Sequence, residues 1–365
     1  MKILHVTYEA ERYGIDTLLL DLIGYQASVQ TDLAVGIAFH EDGPCIDRFI
    51  ELGVTVHRLK LRSAKDVRVL QKLIHIFKNY DIIHLHTYSP WALLAGILTR
   101  KKILFMFHGA LGFRNRRTDQ LKRIYYCIFL NKYCEKITFA SQASFKRYTD
   151  GVRCSIDDKK VELFPYGRDL SLIQPQGKRA ELRKSYSFNN YFIIGTAARL
   201  DPMKRLDRLI DAMSNLPVDQ KVKLIIAGSG DDQYKKNLIA QSARLGLGDR
   251  VEFWGYRSDA IEIISALDLF VLPSQGEPFG LAILEAMVLG IPSATFSDSG
   301  GPVDIIGNSG FVVNNPSELS DVIVKISENH AYWEKISEQV KQRAIQFNID
   351  KMADHLLRLY QEMYY

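Results

Sequence analysis

The feature that most constrains the fold is an alternation of short apolar, β-branched runs with longer segments of helical periodicity. The runs KILHV, DLAVGIAF, VTVHRL, DIIHLHT, KILFMFHG and KITFA occupy residues 2–6, 32–39, 54–59, 81–87, 102–109 and 136–140. Between them lie segments such as IDTLLLDLIGYQ, VRVLQKLIHIFKN and SPWALLAGILTR, whose apolar residues recur at helical spacing. This order predicts a parallel sheet covered by helices on both faces.

The same alternation starts again near residue 190. The runs YFIIGTAARL, KLIIAGSG, VEFWGYR, LFVLPS and PSATFS predict further strands, again separated by helical patterns. We therefore predict two α/β domains that meet near ELFPYGRDLSLI, and a helical segment over 331–365. Because ligands of open α/β sheets bind outside the carboxyl ends of the strands, we expect a ligand-binding cleft between the domains.

Composition indicates an ordinary globular protein, with 47% hydrophobic and 24% charged residues. No apolar run approaches the roughly 18–20 residues of a membrane-spanning helix, and the start lacks the apolar stretch of a secretory signal. The four cysteines, Cys45, Cys127, Cys134 and Cys154, show no CxxC spacing. This pattern favours a cytosolic protein with free thiols over a disulfide framework or a zinc site.

Positive charge is concentrated in the first half of the chain. Residues 1–168 contain 26 Lys and Arg against 17 Asp and Glu, a balance of +9, whereas the remainder has a balance of −4. Twelve of the basic residues lie in the region 100–147. Within it, apolar and basic side chains alternate at helical spacing: Leu121, Ile124, Tyr125, Ile128 and Phe129, with Lys122, Arg123 and Lys132.

Two interpretations of this basic region stay open. One is a domain helix with its apolar face in the core and a solvated basic face. The other is an interfacial helix that meets anionic lipid. No nucleic-acid recognition module is evident, so we expect no nucleic-acid partner.

The stretch EPFGLAILEAMVLGIP, residues 277–292, places two carboxylates around a turn. A predicted buried strand precedes it, and Pro278 suits the first turn of a helix. Backbone N–H groups near Phe279, Gly280 and Leu281 would then be unpaired donors at a helix start, which is a site for an anion. The structural alternative is a plain strand–turn–helix with surface glutamates.

The spacing of Glu277 and Glu285 disfavours an acid/base pair. Eight residues of continuous helix rise about 12 Å, which exceeds the separation of the paired carboxylates in glycosidases, about 5–9.5 Å. Two carboxylates that flank an anion site fit another role better. Each could accept hydrogen bonds from hydroxyls on either side of a bound phosphate group.

Together with other segments, this stretch resembles the retaining GT-B glycosyltransferases of family 4. The form EPFGLAILEAM, followed by GIP, a strand and GG, matches the family's E-x7-E motif. AARLDPMKRLDRLIDAM resembles its arginine–lysine segment, IIAGSGDD its glycine turn and FPYGRDL its interdomain element. DIIHLHT and FHG resemble its amino-terminal strand ends, so the resemblance covers nearly the whole chain.

The resemblance implies the GT-B fold, in which two Rossmann-like domains face each other across a cleft. Residues 1–166 would form the acceptor-side domain and residues 167–345 the nucleotide-sugar domain. Residues 346–365 would form a C-terminal helix that packs on the N-terminal domain.

The resemblance also implies roles for individual side chains. Glu277 would hold donor-sugar hydroxyls, and Glu285 would accept from the ribose hydroxyls. Arg199 and Lys204 would neutralise the departing diphosphate, so no metal would be required. His108 would lie beside the donor sugar. Further donor or nucleotide contacts would come from Phe279, Gly280, Leu281, Gly14, Gly228, Tyr256 and Arg257.

Three residues depart from the family pattern. Tyr13 replaces the first glycine of the loop before Gly14, Tyr166 stands where asparagine is usual, and Asp304 stands where glutamate is usual. His84 and His86 point the same way from one strand, but no third ligand is evident at useful spacing. Packing or cleft lining is therefore favoured over metal binding for this pair.

The function implied by the resemblance is retaining hexosyl transfer from a nucleotide-diphosphate sugar, a UDP-sugar in preference to a GDP-sugar, without a cofactor. The expected partners are that donor, a glycan or lipid-linked acceptor, and an anionic membrane contacted through residues 100–147. The expected location is the cytoplasm, at the inner face of the cell membrane if that contact forms. Two alternatives remain, another GT-B enzyme such as an epimerase or phosphorylase, and a non-catalytic nucleotide-sugar-binding protein. The chain lacks a G-x-G-x-x-G fingerprint, a Walker motif and a nucleophile elbow.

Overall fold

The computed structural model describes residues 1–8, 14–60, 66–108, 117–149 and 155–365, apart from the side chains of 117–123 and 125. The predictions for Tyr13, Cys154 and the side chains of Leu121, Lys122, Arg123 and Tyr125 lie outside the described residues. The chain divides into two compact units, Met1–Asp169 with Phe347–Tyr365, and Leu170–Gln346. These limits lie within a few residues of the predicted domain boundaries.

The first unit is an α/β sheet with helical crossovers. Its strands are β1 (Lys2–Thr7), β2 (Ala34–Phe39), β3 (Thr55–Arg58), β4 (Ile82–Leu85), β5 (Lys102–Phe107), β6 (Lys136–Phe139) and β7 (Val161–Leu163). The helices in its first segment, Met1–Asp169, are α1 (Gly14–Ser28), α2 (Ile46–Glu51), α3 (Val67–Phe77), α4 (Pro90–Leu98), α5 (Arg117–Tyr133) and α6 (Gln142–Thr149). In the described residues, the strands pair in parallel in the order β3-β2-β1-β4-β5-β6-β7.

The central strands of this sheet are buried because helices cover both faces. Every residue of β4 is buried, and five of the six residues of β1 are. Leu4 and Ile83 join one core cluster with Leu73 and Phe77 of α3. The apolar runs of the sequence therefore correspond to strands buried on both sides, as expected for a parallel sheet.

The second unit repeats this architecture. Its strands are β8 (Phe192–Ala197), β9 (Val222–Ala227), β10 (Val251–Gly255), β11 (Leu269–Leu272), β12 (Ser293–Phe296) and β13 (Phe311–Val313). Its helices are α7 (Arg179–Ser185), α8 (Asp207–Ser214), α9 (Asp232–Arg244), α10 (Ala260–Ala266), α11 (Leu281–Val288), α12 (Gly301–Ile306), α13 (Pro316–Ser327) and α14 (His330–Ala344). The strands pair in parallel in the order β10-β9-β8-β11-β12-β13. The prediction of two parallel-sheet α/β domains is confirmed.

The predicted helix over 331–365 is interrupted. A short 3₁₀ turn, Ile345–Phe347, ends α14, and Asn348 is extended at φ −71° and ψ 150°. The last helix, α15 (Ile349–Tyr364), then returns to the first unit, as the resemblance implies. It buries one apolar face: Met352, Leu356, Leu359, Tyr360 and Met363.

Strands β7 and β13 were not predicted from the sequence. Each has three residues and lies at the edge of its sheet, too short for a recognisable pattern. The described cysteines, Cys45, Cys127 and Cys134, are buried, and none of them is joined to another described cysteine by a disulfide. No helix in the described parts of the chain combines the length and hydropathy needed to cross a membrane.

Candidate functional site

The strand order of the second unit reverses between β8 and β11. In open α/β sheets, ligands bind outside the carboxyl ends of the strands at such a point. The loops that follow these two strands are joined there, because the Gln275 N–H donates to the Met203 carbonyl at 2.8 Å. Met203 lies in a 3₁₀ turn, Pro202–Lys204, which the Asp201 carboxylate caps through the Met203 N–H at 2.9 Å.

Lys204 and Glu277 form an ion pair at this point of the sheet. The Lys204 ammonium donates to Oε2 of Glu277, and the two side chains are 21% and 18% exposed. The Glu277 backbone is held by the loop after β12: its N–H donates to the Ser299 carbonyl at 2.6 Å, and its carbonyl accepts from the Gly301 N–H at 2.9 Å. The structure therefore places one carboxylate and one ammonium group, both partly exposed, at the switch point, and the backbone of Glu277 is held there by two hydrogen bonds.

The turn before α11 differs from its predicted form. Helix α11 begins at Leu281, after Gly280 in a left-handed conformation with φ 101° and ψ 62°. A Cβ on Gly280 would lie 2.9 Å from Pro302 and 3.0 Å from Leu272, so this close packing requires glycine. The prediction that Pro278 lies in the first helical turn is therefore wrong.

This correction has two consequences for the predicted anion site. The separation of Glu277 and Glu285 cannot be obtained from a continuous helix, because only Glu285 is helical. The N-cap residue of α11 is Gly280, which has no side chain that could cap the helix, so the backbone N–H groups at the helix start remain suited to an anion. The Phe279 ring is buried, so only the backbone of that residue is available to a ligand.

Gly228 joins the carboxyl ends of three neighbouring strands. Its N–H donates to the Gly255 carbonyl at 2.7 Å, and the Ala198 N–H donates to the Ala227 carbonyl at 3.0 Å. Gly228 has φ 146°, and a Cβ there would lie 1.9 Å from the Ala198 carbonyl oxygen. Gly228 therefore allows the ends of β8, β9 and β10 to lie side by side. The loops that carry Arg199, after β8, and Tyr256, after β10, leave the sheet at the same carboxyl edge.

The two predicted arginines have different surroundings. The Arg199 side chain is 61% exposed and lies 3.6 Å from Asp201, so it can reorient toward a ligand. Arg257 forms an ion pair with Asp259, to which its Nε donates a hydrogen bond at 2.7 Å. Its guanidinium group lies 5.5 Å from the centroid of the Trp254 ring. Tyr256 is an exposed aromatic side chain. Among these three residues, the arrangement supports a ligand contact best for Arg199 and Tyr256.

His108 follows β5 at the carboxyl edge of the first unit's sheet. Its ring is half-buried, and its Nε2 lies 2.8 Å from Nδ1 of His86. Burial lowers the pKa of His108 to about 3, so the imidazole is neutral at pH 7. Gly14, which is exposed, begins α1 in the same unit.

Two of the three departures from the family pattern lie in the described residues, and the structure explains the one at Tyr166. The Tyr166 hydroxyl donates to the Phe107 carbonyl, and its ring lies 5.2 Å from the His108 ring, so tyrosine braces the end of β5. Asp304 lies in α12, where burial raises the pKa of its carboxyl group. The Asp304 carbonyl accepts a hydrogen bond from Arg343 at 2.8 Å.

His84 and His86 have a third histidine beside them, contrary to the sequence-based expectation. The parallel register of β1 and β4 pairs His5 with His84, and ring nitrogens of His5, His84 and His86 lie within 4.8 Å of one another. A metal would need one free nitrogen from each ring. The Nδ1 of His5 lies 2.7 Å from Nε2 of His86, and its Nε2 lies 3.0 Å from Oε1 of Gln26.

The hydrogen bonds of these rings disfavour a metal. His5 and His86 use both of their nitrogens, since Nδ1 of His86 faces His108. His84 uses Nδ1, which lies 2.6 Å from the Tyr360 hydroxyl, and among the described residues its Nε2 has no partner. The arrangement is therefore that of a hydrogen-bonded network. Sequence reasoning missed His5 and Gln26, because only strand register and helix packing bring them to His86.

Comparison with known proteins gives two family matches. Residues 178–345 match the family described as Glycosyl transferases group 1, and residues 14–172 match Glycosyltransferase Family 4. The chain is 29% identical over 194 residues to the O-antigen biosynthesis glycosyltransferase WclY of Escherichia coli, covering 52% of each protein. It therefore spans about half the length of that curated relative. A D-inositol 3-phosphate glycosyltransferase of Segniliparus rotundus is 31% identical, with 37% of its length covered.

Other similarities extend over the full length of the chain. A UDP-Gal:alpha-D-GlcNAc-diphosphoundecaprenol alpha-1,3-galactosyltransferase of Escherichia coli is 24% identical, covering 100% of this chain and 97% of that protein. The crystal structure of Anabaena Alr3699/HepE in complex with UDP and glucose aligns with a TM-score of 0.85 at 23% identity, covering 99% of this chain and 100% of that one. At this identity the structural likeness shows the fold.

Proposed function

This chain belongs to the group 1 and family 4 glycosyltransferases, and from that membership we propose that it moves a sugar from a nucleotide-diphosphate sugar to an acceptor hydroxyl. The observation that carries the proposal is the ion pair of Lys204 and Glu277 at the switch point of the second unit. A carboxylate accepts hydrogen bonds from sugar hydroxyls, and an ammonium group binds phosphate. A nucleotide-sugar carries both sugar hydroxyls and phosphate groups, so a site that binds it needs both kinds of side chain.

In this proposal, the donor binds at the carboxyl edge of the second sheet. Glu277 holds sugar hydroxyls, and Glu285, on the second turn of α11, accepts from the ribose. The uncapped start of α11 meets the diphosphate or the sugar. Donor binding replaces the contact between Glu277 and Lys204, and the released ammonium group then pairs with the diphosphate.

The positive charge for the leaving group comes from Arg199 and Lys204. His108 does not supply such charge, because burial lowers its pKa to about 3 and the ring is neutral at pH 7. For the same reason it is a weak base. We therefore propose that Arg199 and Lys204 stabilise the developing charge electrostatically, without a metal.

The proposed reaction is retaining transfer. The acceptor hydroxyl oxygen forms a bond to the anomeric carbon on the face from which the diphosphate departs. The bond from that carbon to the phosphate oxygen breaks, and the hydroxyl proton passes to the departing diphosphate. Glu277 positions the sugar and forms no covalent bond. Detection of a glycosyl-enzyme intermediate on Glu277 would contradict this assignment.

For the substrates, we propose a UDP-sugar donor and a glycan or lipid-linked acceptor in polysaccharide or glycolipid assembly. The support comes from relatives: HepE was crystallised with UDP and glucose, and the full-length E. coli relative is named for UDP-Gal and a diphosphoundecaprenol acceptor. These substrates are named for the relatives, and we extend them to this chain as part of the proposal.

We further propose that the region 100–147 contacts an anionic membrane from the cytoplasmic side. On α5, the Ile128 side chain is 52% exposed, one helical turn from exposed Lys132. An apolar and a basic side chain on one exposed face suit the surface of such a membrane. The variant Ile128→Ser should reduce co-sedimentation with vesicles that contain anionic lipid, and equal co-sedimentation would contradict the contact.

The test is turnover of UDP-, GDP- and ADP-sugars by the full-length chain, with and without a glycan or lipid-linked acceptor. Glu277→Gln should reduce transfer about tenfold or more, because a charge-assisted hydrogen bond becomes a neutral one. Glu252→Gln is the matched control, since Glu252 forms a comparable ion pair with Lys223 at 2.7 Å inside the same sheet. Turnover of the donor that does not depend on any acceptor would instead favour an epimerase or a hydrolase. Tight binding without turnover would favour a non-catalytic binding protein.

A further inference from the structure

We infer that a buried relay of hydrogen bonds, from Gln26 through His5 and His86 to His108, determines which nitrogen of the His108 ring carries the proton. The relay has three links. Oε1 of Gln26 lies 3.0 Å from Nε2 of His5, Nδ1 of His5 lies 2.7 Å from Nε2 of His86, and Nδ1 of His86 lies 2.8 Å from Nε2 of His108. Gln26 and His5 are fully buried, so water does not compete for these groups.

The direction of the relay follows from the Gln26 carbonyl. A neutral imidazole has one donor nitrogen and one acceptor nitrogen. Because Oε1 of Gln26 can only accept, His5 carries its proton on Nε2 and accepts through Nδ1. His86 must then donate from Nε2 and accept through Nδ1, and His108 must donate from Nε2. Each ring in turn is therefore protonated on Nε2.

All three rings are neutral, as this argument requires. Burial lowers the pKa of His5 to about 4 and that of His108 to about 3, and it lowers the pKa of His86 well below its usual value. An imidazolium ring would donate from both nitrogens and would break one link. At pH 7 the relay thus holds one proton per ring.

The direction depends on the orientation of the Gln26 amide, which presents its oxygen to His5. The amide nitrogen is buried and has no hydrogen-bond partner among the described residues. A reversed amide would donate to Nε2 of His5 and would reverse every link of the relay, so the tautomer of His108 reports the amide orientation as well.

The consequence is that Nδ1 of His108 keeps a bare lone pair. Among the described residues, this nitrogen is buried and has no hydrogen-bond partner. Once ligand binding exposes this nitrogen, it accepts a hydrogen bond from a substrate hydroxyl, whereas the opposite tautomer would present an N–H. This role rests on the proposed function. Gln26, His5 and His86 are positioning residues, which act on the substrate only through His108.

The test is nitrogen NMR of the full-length chain labelled with ¹⁵N-histidine at pH 7. Long-range proton–nitrogen correlations distinguish a bare ring nitrogen from a protonated one. Couplings between nitrogens report N–H···N hydrogen bonds directly. We expect His5, His86 and His108 to be protonated on Nε2, with couplings from His5 to His86 and from His86 to His108. A His108 ring protonated on Nδ1, or a mixture of both tautomers, would overturn the relay.

The variant that perturbs the relay is Gln26→Met, which keeps the size of the side chain and removes the acceptor. We expect it to convert His108 from one tautomer into a mixture, and to lower kcat/KM for transfer about threefold to tenfold. Gln30→Met is the matched control, because Gln30 is also buried near α1 but bonds to Asp354 at 3.2 Å, outside the relay. An unchanged His108 tautomer in folded Gln26→Met would refute the direction argument, and the wild-type spectrum decides the matter if that variant does not fold.

The same spectra separate this inference from the proposed function. If the chain transfers no sugar, the tautomers of the wild type remain as predicted, and only the proposed function fails. If transfer is observed but His108 is not a single Nε2–H tautomer, only the relay fails. Stoichiometric metal in the purified protein, with shifts of the His5, His84 and His86 nitrogens on its removal, would also overturn the relay.

Discussion

The substitution Gly228→Ala should destabilise the second unit strongly. A φ of 146° is essentially restricted to glycine, and an alanine there costs about 1–3 kcal/mol. The new Cβ would lie 1.9 Å from the Ala198 carbonyl oxygen, so the loop after β8 must move. That movement strains the hydrogen bonds of Ala198 and Gly228, each contributing about 1 kcal/mol. We expect a total loss of about 3–5 kcal/mol.

The control is Gly246→Ala in the same unit. Gly246 has φ 66°, but no described heavy atom lies within 4 Å of a Cβ built there, so only the left-handed conformation is penalised, by about 1–2 kcal/mol. Urea unfolding can be followed by Trp254 and Trp333 after Trp91→Phe, because both remaining tryptophans belong to the second unit. Equal unfolding midpoints for the two alanine variants would refute the steric argument.

Three further predictions concern stability and turnover. Burial lowers the pKa of His5 from 6.5 to about 4, so the unfolded state binds more protons between these two pH values. Stability should therefore fall as pH drops from 6.5 to 4, with His5 contributing about 2 kcal/mol of the loss at pH 5 and the other buried histidines adding to it, and pH-independent urea midpoints would contradict this. Asp21→Asn removes the carboxylate charge that lies 2.6 Å from Nε of Arg168, whose side chain is 7% exposed. The free energy of unfolding should fall by about 3 kcal/mol, against less than about 1 kcal/mol for Asp42→Asn in an exposed pair, and equal losses for the two variants would contradict this. Arg199→Gln should lower kcat about tenfold or more without changing the melting temperature, and an unchanged kcat would remove Arg199 from the leaving-group site.

The strands were predictable because a parallel sheet buries continuous apolar runs, and such runs are visible in the linear sequence. The break in the C-terminal helix was not, since Asn348 is extended where the chain passes to the first unit. The start of α11 was misplaced for a related reason. Gly280 packs against Pro302 and Leu272, and this long-range contact sets its left-handed conformation.

The residues of the candidate site were also predictable only in part from the sequence. Lys204 and Glu277 could be identified from their motifs, and the structure joins them through the loops after β8 and β11. The histidine network could not, because His5, Gln26 and His86 are brought together by strand register and by the packing of α1. The motifs that contain Lys204 and Glu277 could therefore be found from residue spacing along the sequence. The histidine network could not, because it depends on contacts between residues about 20 to 80 positions apart.

The most direct test of the central claim is calorimetric titration of UDP into the wild type, Lys204→Met and Lys223→Met. Both lysines form ion pairs in the second unit, with exposed fractions of 21% and 23%, but only Lys204 lies at the switch point. A charge-assisted bond to phosphate contributes about 1.5–3 kcal/mol, so we predict that Lys204→Met weakens UDP binding by about tenfold or more. Lys223→Met should change the affinity less than about twofold. Wild-type affinity in Lys204→Met, or no binding of UDP to the wild type, would contradict the account.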